Sequence, residues 1–177
     1  MTYVRRVAPR RRITFEPRAD HMSIAELSAD LDAASPEAVV RAWYETVWNA
    51  FDTDAVARLF RPDGGATGLV DGEATAPDLV VMVQATHALV DRLDVRMVHL
   101  MTDADGWVSV VTRLTGIGRR NGAAVDCLMQ MTCQVRDGAI VRAYNAGDTL
   151  GLCLQLDLMP PDAMIHLLQG KRLEVVD

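Results

Sequence analysis

The sequence predicts an α+β fold: a cone-shaped, curved antiparallel sheet made of a four-strand meander plus a short strand, with three N-terminal helices and a C-terminal helix. Two observations predict it. Apolar residues recur at spacings of three and four in the first half of the chain, and the period changes to two from residue 94. Three glycine-bearing turns then separate β-rich segments. A strongly bent sheet closed by helices encloses a pocket.

Three helices are expected before the meander. The first begins at Ser35-Pro36-Glu37, with a serine N-cap, proline at the first helical position and an acid in the first turn. Its apolar face is wide and comprises Val40, Trp43, Tyr44, Val47, Trp48 and Phe51. Asp52 caps a short second helix, which the RPDGG stretch ends, and APDLVVMVQATHALVDRL forms the third. Between the last two, ATGLVDGEAT predicts a short strand that ends at the Asp71-Gly72 turn.

Four strands and one or two helices complete the chain. The strands are predicted at residues 94–102, 107–118, 123–136 and 139–145, joined by the turns DADG, RRNG and RDG. Two short helices follow, at Leu150–Met159 and Asp162–Gln169, and Pro160-Pro161 separates them.

The composition indicates one globular domain and excludes several classes of protein. Half of the 177 residues are hydrophobic, and the net charge of −6 argues against a nucleic-acid binder. We divide the chain into a basic, flexible N-terminal arm (1–34), the α+β domain (35–160) and a C-terminal helix and tail (161–177). The first twenty residues hold six arginines and two acids, so the arm is either a leader or a contact for a membrane surface, RNA or an acidic partner.

The cysteines and histidines predict no metal site. Three cysteines without a CxxC spacing indicate core side chains of a cytoplasmic protein rather than a disulfide framework or a zinc site. The four histidines are far apart and lack a carboxylate at helical spacing. No apolar run reaches the length of a membrane span.

Asp148 is the strongest catalytic candidate. It lies between the last predicted strand and a leucine-rich helix. A carboxylate in a dry, apolar cleft has a raised pKa and can remove a proton from carbon beside a carbonyl group. The alternative is that Asp148 only caps the helix that follows it, and one carboxylate can do both.

Arg113 is the second candidate, in the middle of the strand at 107–118. It shares one face of that strand with Trp107, Ser109, Val111 and Thr115. If this face is concave, Arg113 can bind an enolate oxygen or a carboxylate in the pocket. Otherwise it is exposed, or it pairs with an acidic side chain of which Asp126 and Asp148 are the candidates.

Several polar, aromatic and methionine side chains are candidates for contact with a ligand, although each also has a structural interpretation as core or surface. Aromatic walls suit a flat, apolar ligand, methionines suit an adaptable one, and a lone histidine can be a pocket base. The substrate-binding candidates are Trp43, Tyr44, Met82, His99, Trp107, Gln130, Gln134, Tyr144 and Asn145.

The order of several short sequence segments resembles that in the nuclear transport factor 2-like superfamily and, within it, in the SnoaL-like polyketide cyclases. The matching segments are the aromatic first helix followed by FDTDAVARLF, then VVTRLTGIG, VRDGAIVRAYNAGD and LQLDLMP. In the last block the family positions are filled by Gly138, Ile140, Tyr144, Asp148, Gln155, Leu156 and Pro160. The resemblance covers about residues 36–160.

The resemblance implies general acid/base catalysis by a pocket aspartate, at Asp148, with no metal and no cofactor. It also implies a homodimer paired through the outer sheet face, for which the strand face of Cys127, Met129, Met131 and Cys133 is the candidate. The cyclases carry a histidine on the strand where this chain has Gln134, and an amide cannot transfer a proton. This departure from the family pattern is evidence against the cyclase chemistry.

The expected function is therefore a cofactor-free cyclase, isomerase or lyase acting on an apolar, polyketide- or terpenoid-like carbonyl compound. The first alternative is a non-catalytic small-molecule-binding or dimerisation module of the same fold. The second is a limonene-type epoxide hydrolase, which needs an Arg-x-Asp on a strand and a later Asp. Here the strand reads Arg113-Leu114-Thr115 and the later position is Ala146, so that pattern fails twice.

Overall fold

The computed structural model describes residues 35–173, and the basic arm lies outside them. Its helices form one group before the meander and another after it, as the α+β prediction requires. The helices are α1 (Pro36–Ala42), continued by a π-helical segment (Trp43–Asn49), α2 (Val56–Leu59) after a 3₁₀ turn (Thr53–Ala55), α3 (Ala76–Leu89), α4 (Thr149–Gln155) and α5 (Ala163–Leu168).

Six strands form one curved sheet. They are β1 (Phe60–Thr67), β2 (Glu73–Ala74), β3 (Val90–Thr102), β4 (Trp107–Gly118), β5 (Ala124–Arg136) and β6 (Ala139–Gly147). The order across the sheet is β2-β1-β6-β5-β4-β3, and all neighbours are antiparallel except β1 and β6, which are parallel. The predicted α+β fold with a four-strand meander is confirmed.

Local capping chemistry sets the helix starts. The Ser35 hydroxyl accepts a hydrogen bond from the Ala38 amide at 3.2 Å, and the Asp52 carboxylate accepts one from the Asp54 amide at 3.1 Å. Asp78 closes a capping box at the start of α3 by accepting from the Thr75 amide at 2.8 Å. These bonds satisfy backbone donors that have no partner within the helix.

Strands β1 and β3 begin earlier than predicted, and pairing with neighbouring strands of the sheet explains both. Strand β1 begins at Phe60, so RPDGG lies in a strand instead of ending a helix, because β1 pairs with β6 on either side of a bulge. A side chain at Gly65 would overlap that of Glu73, so glycine permits this close approach. Strand β3 begins at Val90 inside the expected third helix, where it pairs with Gly118.

The inner face of the sheet is the one opposite Arg113, so the condition for placing Arg113 in the pocket is not met. Along β4 the buried side chains are Val108, Val110, Thr112 and Leu114, none more than 3% exposed. The alternate residues of β4, which include Arg113, lie on the outer face. There Trp107 stacks on Tyr144 with ring centroids 6.0 Å apart. The expected concave placement of Arg113 is therefore wrong. Successive side chains alternate between faces, and burying the valines leaves the arginine outside.

The expected dimer surface is wrong for the same reason. Cys127, Met131 and Cys133 of β5 are at most 5% exposed and belong to the core, and Met129 packs against that core. These side chains face the helices and cannot meet a second copy of the chain. Dimerisation itself stays a prediction.

Helix α4 is held against the sheet by the amide side chain of Gln155. Its oxygen accepts from the Asp126 amide at 2.7 Å, and its nitrogen donates to the Asp126 carbonyl at 3.2 Å. Asn121 donates to the Gln155 carbonyl at 2.9 Å and fixes the C-terminal end of the helix. Among residues 35–173 we find no helix with the length and apolarity needed to cross a bilayer.

We expect two adjacent valines of β4 to differ sharply in their effect on stability. Val110→Ala should lower the free energy of unfolding by about 2 kcal/mol, because it leaves a cavity in the core. Val111→Ala, on the outer face, should change it by less than about 1 kcal/mol. Chemical denaturation of both variants measures the difference. Equal losses, or a larger loss at Val111, would contradict the assignment of the two faces.

Candidate functional site

A cavity of about 340 Å³ lies between the helices and the inner face of the sheet. The helices contribute Trp43, Tyr44, Trp48, Leu79 and Met82 to its wall. The strands contribute mainly apolar side chains, which are Phe60, Ala66, Val95, Leu114, Met129, Met131, Ile140 and Ala143. Its volume falls within the range of small-molecule sites.

The cavity wall includes residues that are exposed to solvent and residues that are buried. We call the mouth the group of lining residues that are exposed to solvent, which are Gly68, Gln130, Ala146, Gly147 and Thr149. Among the polar lining residues, Tyr44 and Thr112 are buried, at 7% and 1% exposed.

Tyr44 and Thr112 bring two hydroxyl groups to the cavity wall. Tyr44 comes from the π-helical segment and Thr112 from the inner face of β4. Burial raises the pKa of the Tyr44 phenol above its ordinary range; the Cys133 thiol adds to the rise, and a hydrogen bond with Thr112 opposes it. The phenol thus stays protonated and neutral. Thr112 also donates a long hydrogen bond, 3.4 Å, to the Met129 carbonyl.

Asn145 supplies a further polar group to the wall. Its amide nitrogen donates to the Thr67 carbonyl at 3.2 Å, which ties β6 to β1 and fixes the orientation of the amide. Within residues 35–173 its oxygen has no hydrogen-bonding partner, so it remains an acceptor for a ligand.

Asp148 is exposed and lies beside the mouth. Its carboxylate accepts a hydrogen bond from the Gly151 amide at 2.8 Å and caps α4. The residues on either side of it, Gly147 and Thr149, line the cavity, whereas Asp148 itself does not. The expected dry surroundings are not present in this arrangement, and the capping interpretation describes the bond that Asp148 makes.

Arg113 forms a two-pronged ion pair with Asp126 on the outer face of the sheet. The nitrogen–oxygen distances are 2.7 and 2.5 Å. The hydrogen bond with Arg113 lowers the pKa of the Asp126 carboxyl and raises that of Arg113. This is one of the two pairings that the sequence left open, and it places Arg113 away from the cavity.

The structure divides the remaining candidates into two groups. Trp43, Tyr44, Met82 and Asn145 line the cavity wall, and Gln130 lies at the mouth. The other four candidates lie on the outer side of the sheet and do not line the cavity, so their predicted placement in the pocket is wrong; they are His99, Trp107, Gln134 and Tyr144. That any of these residues contacts a substrate stays a prediction.

Sequence reasoning missed Thr112, the polar residue of the inner face. The signal was present in the strand, because Val108, Val110 and Leu114 form an apolar alternation with Thr112 as its one interruption. A single hydroxyl on an otherwise apolar face has to find a partner, and such a residue is a candidate for contact with a ligand.

None of the lining residues has a charged side chain.

Two thiols lie nearby in the core, and burial raises the pKa of Cys127 to about 11 and of Cys133 to about 12. Both are therefore neutral and unreactive at physiological pH. Within residues 35–173 no cluster of three or more His, Cys, Asp or Glu side chains could hold a metal ion.

Comparison with solved structures gives the same fold at low sequence identity. IdmH, a proposed polyketide cyclase from Streptomyces antibioticus, is 18% identical with a TM-score of 0.63, and the match covers 70% of this chain and 99% of that one. A proposed SnoaL-like polyketide cyclase from Jannaschia is 18% identical with a TM-score of 0.62, and the match covers 71% of this chain and 93% of that one. A Catenulispora acidiphila protein with a ketosteroid isomerase-like fold is 18% identical with a TM-score of 0.61, and the match covers 73% of this chain and 98% of that one.

The chain therefore has the nuclear transport factor 2-like fold of the SnoaL-like polyketide cyclases, as the resemblance of its sequence implied. No protein-family model and no curated protein matches the sequence. At these identities the similarity shows the fold, and activity has to be argued from the site.

We expect Arg113→Gln to raise the pKa of Asp126 toward its ordinary value, since the hydrogen-bonding partner of the carboxylate is lost. A carboxyl with a lowered pKa in the folded state adds stability above its unfolded pKa, about 3.9, and that increment disappears as the pH falls through the lowered value. Carboxyl titration by NMR measures the shift.

The control is Arg96→Gln, which breaks a similar exposed pair with Asp94 and leaves Asp126 untouched. Denaturation at neutral and acidic pH should show a smaller acid-dependent loss of stability in Arg113→Gln than in the wild type. An Asp126 pKa that does not move in Arg113→Gln would rule out the ion pair in solution.

Proposed function

We propose that the protein binds a small, largely apolar molecule in the cavity between its helices and the inner face of the sheet. The cavity itself is the observation that carries the proposal. Protein interiors are close-packed, with few voids larger than a water molecule, so an opening of about 340 Å³ lined by Trp43, Trp48 and Phe60 is not a packing defect.

The chemistry of the wall supports this proposal. Indole and phenyl rings bind flat apolar molecules, and Met82, Met129 and Met131 can adjust their shape to them. The similarity in fold to proposed polyketide cyclases supports the same class of ligand, an apolar compound bearing carbonyl groups.

Filling the cavity should abolish binding. We expect Ala143→Leu, on the inner face of β6, to weaken binding of β-tetralone at least tenfold, because the new side chain occupies ligand space. The matched control is Ala85→Leu on the exposed side of α3, which should bind like the wild type. NMR titration measures both affinities, and thermal unfolding checks that the variants are folded. Equal binding by the two variants would reject the cavity as the site.

A second candidate function is a cyclase or isomerase that uses Asp148 as its acid/base. The position of Asp148 between Gly147 and Thr149 favours it, because the mouth is where a bound ligand meets this side chain. In this proposal the carboxylate leaves the Gly151 amide and takes a proton from carbon beside a ligand carbonyl. The enolate carbon bonds to a second carbonyl carbon of the same molecule, and the proton passes to the resulting alkoxide.

Proton abstraction can be tested without knowing the natural substrate. Wild-type protein should speed the exchange of the α-hydrogens of β-tetralone for deuterium in D₂O, measured by NMR. Asp148→Asn should lose about a hundredfold or more of that rate, since an amide cannot act as a base.

Stability separates this role from the capping role. Asparagine caps helices as well as aspartate does, so Asp148→Asn should unfold like the wild type, whereas Asp148→Ala should lose about 1 kcal/mol. Exchange as fast in Asp148→Asn as in the wild type would eliminate the catalytic role and leave the binding function standing.

The epoxide hydrolase alternative gains no support from this site. Arg113 points away from the cavity, and the lining residues include no carboxylate.

A further inference from the structure

We propose that the ligand of the cavity carries a hydroxyl group, and that the side-chain amide of Asn145 is the group that binds it. The inference rests on the proposed function, because it concerns which molecules the same cavity accepts. It makes Asn145 a residue that determines specificity, so that alcohols, phenols and enols bind more tightly than the corresponding ketones and hydrocarbons.

Asn145 lies on the inner face of β6, close to the mouth. It stands directly opposite Met131, a core residue of β5, and residues opposite each other in a sheet share one face. It precedes Gly147, which belongs to the mouth, by two residues. A Cβ atom at Gly68, another residue of the mouth, would lie only 2.0 Å from the Asn145 backbone oxygen. The amide is therefore near the ends of both β1 and β6, where the cavity meets solvent.

The hydrogen bond with Thr67 determines which way the amide faces. The Nδ2 nitrogen donates to the Thr67 carbonyl at 3.2 Å, and the opposite orientation of the amide would bring two oxygen atoms together. Within residues 35–173 no buried side-chain oxygen or nitrogen lacks a hydrogen-bonding partner. The Oδ1 oxygen of Asn145 has no such partner, so it has to be accessible. This oxygen and the second hydrogen of Nδ2 are left for a ligand.

The residues around this amide are small. Its neighbours on the same face of β6 are Ala143 and Gly147, and Ala66 of β1 lies beside Ala143 in the parallel pairing. These three residues line the cavity, as Gly68 does. Side chains of this size do not cover the amide, so a ligand in the cavity can reach it.

A hydroxyl group matches this amide better than a carbonyl group does. A hydroxyl group donates to Oδ1 and can also accept from the remaining Nδ2 hydrogen, whereas a carbonyl oxygen only accepts. A bound ketone or hydrocarbon would displace water from Oδ1 without giving this oxygen a new partner, which costs free energy. The preference for a hydroxyl group therefore follows from the acceptor that no described protein group uses.

Three probes of the same ring skeleton test the inference: the hydrocarbon tetralin, the ketone β-tetralone and the alcohol β-tetralol. We expect the wild type to bind β-tetralol about two- to tenfold more tightly than either of the others, the range that one net hydrogen bond gives. NMR titration of each probe measures the affinities. The side-chain amide signals of Asn145 should shift more with β-tetralol than with tetralin, because only the alcohol forms hydrogen bonds with this amide.

Asn145→Leu should remove the preference for β-tetralol while leaving the affinity for tetralin nearly unchanged, because leucine has a similar size and no hydrogen-bonding group. The matched control is Gln84→Leu, which removes an amide from the exposed side of α3 and should keep the preference. Thermal unfolding checks that both variants are folded. If the loss of the bond with Thr67 unfolds Asn145→Leu, the affinities of the wild type and the Asn145 signals decide the question without it.

The outcomes separate this inference from the function on which it rests. A wild type that binds β-tetralol no more tightly than the ketone or the hydrocarbon refutes the role of Asn145, while the cavity still binds ligands. A folded Asn145→Leu variant that keeps the preference, or Asn145 signals that shift equally with β-tetralol and tetralin, refutes it too. If no probe binds the folded wild type, the binding function fails, and the inference fails with it.

Discussion

The structure depends on one constraint, which is that only one face of the meander can be buried against the helices. In β4 this face consists of Val108, Val110, Thr112 and Leu114. Shifting the register by one residue would bury Arg113 instead, together with its partner Asp126 on β5. Burying such a pair costs several kcal/mol of desolvation, whereas burying the valines and leucine stabilises the fold. The outer ion pair and the inner apolar row therefore specify the same register.

The electrostatic character of the cavity follows from that constraint. Because every charged side chain of the central strands lies on the outer face, the space between sheet and helices is lined by uncharged groups. Apart from the indole rings, its polar side chains are those of Tyr44, Thr112, Gln130, Asn145 and Thr149. The charged side chain of Asp148 lies beside the mouth, where β6 ends and α4 begins. A ligand in the cavity thus meets apolar and uncharged polar groups.

The separation of binding from chemistry is the main difference between this site and the one expected from the sequence. We expected a single acid in a dry cleft with Arg113 beside it. The structure keeps the dry cleft and places both ionic groups outside its wall, Arg113 on the far side of the sheet and Asp148 at a helix start. A shared fold does not transfer a mechanism. Here the wall has no charged side chain, and Asp148, the proposed acid/base, lies beside the mouth.

The sequence by itself determined the order of the elements and most of their ends, because these depend on local chemistry. Ser35 and Pro36 start a helix wherever they stand, and Gly106, Gly122 and Gly138 adopt the positive φ values of 81°, 66° and 72° that tight turns need. Only the tertiary structure decided which face of each strand lies inside and whether Asp148 enters the cavity. A strand offers two faces by alternation alone, and the choice depends on the burial summed over neighbouring strands and helices that are distant in the chain.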